Sequence, residues 1–150
     1  MTARMLFVNI PVADLGASKA FFAQLGFTFD PNFTDDTAAC MKVSDQASFM
    51  LLTREKFATF AKRPLADPAT HTQALFCFSV SSREEVDSVS QAALAAGGVE
   101  ADGLEDYGFM CSRSFFDLDG HGWQIMWMDP AAAETGPEEF VAAQQQEATA

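Results

Sequence analysis

Residues 115–129, FFDLDGHGWQIMWMD, place an apolar run on each side of the polar turn Asp117-Leu118-Asp119-Gly120-His121-Gly122. Asp119-Gly120 is a strong turn dipeptide, so the stretch predicts a hairpin with strands over 109–116 and 123–128. An equivalent pair stands earlier, over 37–43 and 48–53, joined at Asp45-Gln46. Asp45 and Asp119 are 74 residues apart.

Upstream of each hairpin the chain reads as a strand followed by a helix. In the first half, 6–12 (LFVNIPV) is apolar, Asp14 is a candidate N-cap, Phe21, Phe22 and Leu25 share a helix face, and Gly26 is a stop. In the second half, 75–80 is a similar strand and Ser81 or Ser82 can cap a helix over 84–96. There Val86, Val89, Ala93 and Ala96 recur at helical spacing before Gly97-Gly98. Val12 and Val80 lie 68 residues apart, close to the hairpin offset, so one βαβββ unit is present twice. Residues 27–33 supply the first unit's second strand and 99–103 its counterpart. The fold class is α+β, two tandem modules over about 5–56 and 73–130. After Pro130 the composition turns to Ala, Glu and Gln, which sets off 131–150 as a C-terminal extension with a short helix over 137–146, which either packs on a module or a second subunit or stands exposed.

Composition narrows the function classes. A chain of 150 residues can bury about 68% of its unfolded surface, so the fold needs no metal or disulfide staple. Nine Lys and Arg against 21 Asp and Glu give a net charge of −12, which repels phosphate backbones and anionic membranes. Nucleic-acid and membrane partners are not expected. Neither a secretory leader nor a membrane-length apolar run is visible, and Cys40, Cys77 and Cys111 read as buried thiols, so a cytoplasmic protein is expected.

Paired βαβββ units, "LGF" closing the first helix and "F.D.DGH.W" near the end resemble the vicinal oxygen chelate superfamily. That group includes glyoxalase I, the bleomycin- and fosfomycin-resistance proteins and the extradiol dioxygenases. At closer range "MLFVNIPV", "DDTAACM", "EKF", "SREEVD", "DYGFM" and "DLDGHGWQIMWMDP" look like bacterial glyoxalase (lactoylglutathione lyase)-like proteins. The resemblance implies a mixed sheet curved into a cup, and a metal held by one residue from the first and last strand of each module. It also implies a homodimer, since members commonly pair across their sheets or exchange modules.

Carried onto this chain, the four metal positions are Phe7, Met50, Leu75 and Gln124. A divalent ion of this kind requires imidazole or carboxylate donors, and none of the four provides one; a glutamate usually stands where Gln124 does. No metal and no cofactor are therefore expected. Glyoxalase chemistry further asks a metal-bound glutamate to shuttle a proton, and Gln124 has no such equilibrium. The two histidines, His71 in the linker and His121 after the turn, read as surface or turn-capping residues.

Strand alternation puts Phe7, Asn9, Leu75, Cys77, Ser79, Gln124, Met126 and Met128 on the cup side, joined by Met50 and Leu52. This lining suits a small apolar or aromatic molecule, with Asn9, Tyr107, Arg113 and Gln124 as polar contacts. The ligand-contacting set is thus Phe7, Asn9, Met50, Leu75, Tyr107, Arg113 and Gln124. The alternatives are a cup filled by its own Phe and Met side chains, as in a structural dimer, and an Arg113 paired with Asp117 or Asp119 across the hairpin. A metal-free binding protein is expected; a divergent lyase of the glyoxalase I type is the other reading. Its base would be a carboxylate such as Asp106 or Asp117.

Overall fold

A computed structural model describes residues 2–150. The first module contains β1 (Leu6–Val12), α1 (Leu15–Gln24), β2 (Thr28–Asp30), β3 (Ala38–Lys42) and β4 (Ala47–Thr53). A helix not read from the sequence, α2 (Arg54–Phe60), leads into the linker. The second module contains β5 (Leu75–Ser79), α3 (Arg83–Ala95), β6 (Val99–Asp106), β7 (Met110–Phe116) and β8 (Gly122–Met128), followed by α4 (Pro130–Thr135) and α5 (Pro137–Ala148). The duplication appears as two four-stranded mixed sheets of the same order, β1-β4-β3-β2 and β5-β8-β7-β6. In each, the first strand runs parallel to the last, with Asn9 opposite Met50 and Cys77 opposite Gln124.

Local chemistry sets the helix ends. Asp14 accepts from the N–H of Ala17 at 2.9 Å and Gly26 follows α1 at φ 98°. Ser82 caps α3 by accepting from the N–H of Glu85, whose own carboxylate reaches back to the N–H and hydroxyl of Ser81 at 2.9 and 2.7 Å. The strand expected over 27–33 stops at Asp30, because Pro31 has no N–H to give a ladder and opens a single 3-10 turn capped by Asp30.

Alternation divides each sheet into a core face and an open face. Ile10, Val12, Leu51, Phe115, Trp123 and Ile125 point inward with Phe21 and Phe22 of α1. Trp123 joins the modules: its ring centroid lies 5.1 Å from Phe22, 4.8 Å from Phe49 and 5.1 Å from Phe76. The open face is more exposed than expected, with Phe7 at 49% and Leu75 at 76%. Cys77, expected in the core, is likewise exposed, since it shares the open face of β5 with Leu75; Cys40 and Cys111 are buried. In the C-terminal segment α4 buries Ala132, whereas α5 buries none of its residues.

Candidate functional site

Two grooves border the open faces. Phe7, Asn9 and Leu52 of the first sheet, with Phe57, Phe60 and Ala61 from α2 and its end, surround a groove of about 690 Å3. The second, about 310 Å3, lies among Leu75, Cys77, Asp102, Ser114 and Gln124. The structure thus brings Phe7 together with Asn9, and Leu75 with Gln124, but in separate grooves. Met50 sits opposite Asn9 in the ladder without bordering either groove.

Gln124 donates from Nε2 to the hydroxyl of Ser112 at 3.2 Å. With Phe7, Met50 and Leu75 at the other three positions, the donor set does not fit a divalent ion. Among the described residues no three of His, Cys, Asp and Glu gather elsewhere as an alternative.

Arg113 stands on the other side of the sheet from Gln124, because its ladder partner is Ile125 while Ser114 faces Gln124. Its guanidinium pairs with Asp87 of α3 at 3.1 Å and Glu100 of β6 at 2.9 Å, not with Asp117 or Asp119. Glu100 beside it, then Asp87, holds its pKa above the usual arginine value against the pull of burial. Tyr107 lies exposed at the tip of the β6–β7 hairpin, its N–H donating to the carbonyl of Met110.

Neither candidate base is free. Asp106 holds the Arg83 guanidinium at 2.8 and 3.0 Å. Asp117 is buried and shapes the last turn. Its Oδ1 accepts from the N–H groups of Asp119, Gly120 and His121, and its Oδ2 from the indole of Trp123 at 2.9 Å. Burial pushes the Asp117 carboxyl up from its ordinary value, opposed by the nearby His121 and the Trp123 hydrogen bond. The His121 side chain does not cap its own turn: its Nε2 bonds to the carbonyl of Pro11 in β1 at 2.8 Å, and the ring borders a cavity of about 180 Å3 with His71.

Sequence reasoning missed Phe57 and Phe60. The signal was present: Thr53 ahead of REKFATF is an N-cap, its hydroxyl accepting from the N–H of Lys56 at 3.2 Å, and the two rings stand three residues apart on one helix side.

The first module matches the family described as bleomycin resistance protein-like N-terminal over residues 4–44. No curated protein sequence matches the chain significantly. Solved structures do. A hypothetical protein from S. aureus is 24% identical, with 85% of this chain and 94% of that one covered at a TM-score of 0.72. A glyoxalase/bleomycin resistance protein/dioxygenase family enzyme from Burkholderia phytofirmans PsJN is 20% identical over 84% and 99% of the two chains at 0.70. A lactoylglutathione lyase from Agrobacterium tumefaciens is 16% identical over 85% and 95% at 0.62. The chain therefore has the paired-module fold of the glyoxalase/bleomycin resistance protein/dioxygenase and lactoylglutathione lyase structures, and its residues 4–44 match the bleomycin resistance protein-like N-terminal family.

Proposed function

We propose that this chain binds a small apolar or aromatic molecule without a metal, using the open face of its first module. The observation that carries this reading is the groove among Phe7, Leu52, Phe57 and Phe60, apolar walls with Asn9 as a polar contact, next to an inherited metal position that offers no suitable donor. Leu75, Gln124 and Tyr107 belong to the other module, and a second copy docked with its second module over the first module's face would bring them to the same ligand. Phe7, Phe60 and Leu75, at 49, 62 and 76% exposure, are the apolar surface such a homodimer would cover. Arg113 serves the fold in this reading.

A lyase of the glyoxalase I type gains no support from the residues, since Gln124 cannot take up a proton from carbon and Asp106 and Asp117 are engaged elsewhere. No helix among the described residues is long and apolar enough to cross a membrane, and the three free thiols suit the reducing cytoplasm. The test is a thermal-shift screen of chelator-treated protein against small aromatic compounds and divalent metals. Aromatic compounds should raise Tm by mass action while metals do not. A response to metals alone would overturn the reading.

A further inference from the structure

We infer that the molecule held against Phe7, Phe57 and Phe60 is an amphipathic acid, an apolar or aromatic body carrying one carboxylate that lies toward Lys62, Arg63 and His71. This rests on the small-molecule reading above and names its chemical class. The first-module groove is not isolated. Phe57 borders it, the 180 Å3 cavity that reaches His71, and a further groove of about 310 Å3 that runs past Lys62 and Arg63. Phe57 is thus common to the groove of phenyl rings, the groove of cationic side chains and the cavity that reaches the imidazole.

The charge distribution makes this contrast informative. In a chain of net charge −12, Arg54, Lys56, Lys62 and Arg63 fall within ten residues that contain one acid, Glu55. Arg83 and Arg113 are neutralised by ion pairs, whereas Lys62 and Arg63 have no carboxylate partner among the described residues. Asp67, the one acid between Arg63 and His71, is turned into the linker, where its Oδ1 accepts from the N–H of Ala69 at 3.0 Å. His71 is held through Nδ1 by the hydroxyl of Thr70 at 2.8 Å, which leaves Nε2 for a ligand. A neutral ligand has no use for a positive rim on a negative protein. A phosphate dianion would meet the repulsive field of the whole chain twice over.

The experiment is calorimetric titration of the full chain with 3-phenylpropionate and with its neutral amide, at low and high salt. The acid should bind about tenfold more tightly than the amide, the size expected for two exposed charge contacts. The preference should shrink at high salt and vanish in a Lys62→Ala, Arg63→Ala double variant, both positions being exposed and outside the core. Phe57→Ala should weaken both probes alike. Equal affinities, or an acid preference that survives the double variant, would overturn the acid while leaving small-molecule binding intact. Failure of both probes to bind would overturn the groove assignment itself.

Discussion

Asp119 Oδ1 accepts the backbone N–H of Ala13 at 2.8 Å, so the last hairpin turn of the second module holds the junction between β1 and α1 of the first. His121 makes a second tie two residues on, through the carbonyl of Pro11. Asp119→Ala leaves the Ala13 N–H without its partner and should lower stability by about 1 kcal/mol, read as a reduced urea midpoint with an unchanged slope.

Gly120 is pressed against the linker at φ 98°, where an added Cβ would stand 2.9 Å from the carbonyl oxygen of Pro68 and 3.0 Å from Cα of Ala69. Gly26 has the same φ but open space around it. Gly120→Ala should therefore destabilise by about 2 kcal/mol or more, and Gly26→Ala by about 1 kcal/mol, since only the first adds a clash with backbone to the conformational penalty. Equal losses in paired denaturation curves would show that the linker yields.

Glu85 is held below its ordinary carboxyl pKa by the hydroxyl and N–H of Ser81. A lowered folded-state pKa gives stability that is present above the ordinary value of 4.5 and lost as pH falls through the folded value. Glu85→Gln should accordingly lower Tm at neutral pH, and the gap to the wild-type protein should close as the solution is acidified below that value. A gap independent of pH would mean that the contact acts through shape alone.

Gln124→Glu places a carboxylate beside Ser112 in a half-buried site with no cation. Its pKa should rise, so stability should fall at neutral pH and recover as pH drops through the raised pKa and the group protonates. Nickel or zinc should bind this variant no better than the wild type, because Phe7, Met50 and Leu75 remain. A gain to micromolar affinity would reveal another donor aimed at the same point.

The duplication was legible because each module is punctuated by turn and cap residues at matching offsets: Asp14 with Gly26, Ser82 with Gly97, and the Asp119-Gly120 turn. Strand alternation also put Phe7, Asn9, Leu75 and Gln124 on one type of face. It could not say that these faces lie over two separate grooves, since period two fixes which side a residue takes and not which sides meet. Arg113 had the same difficulty: its partners Asp87 and Glu100 come from a helix and a strand whose packing no local pattern encodes. The seven-residue α2 was missed because its two phenylalanines span less than two turns, too short a repeat to separate from loop, although they form a wall of the groove.

Metal-independent binding is tested most directly by titrating chelator-treated protein with 3-phenylpropionate and its amide, then repeating the titration after adding nickel or zinc. Saturable binding of about one molecule per chain, unchanged by metal and weakened roughly tenfold by Phe57→Ala, is the expected result. Binding that appears only after the metal is added, or that is indifferent to Phe57, would contradict it.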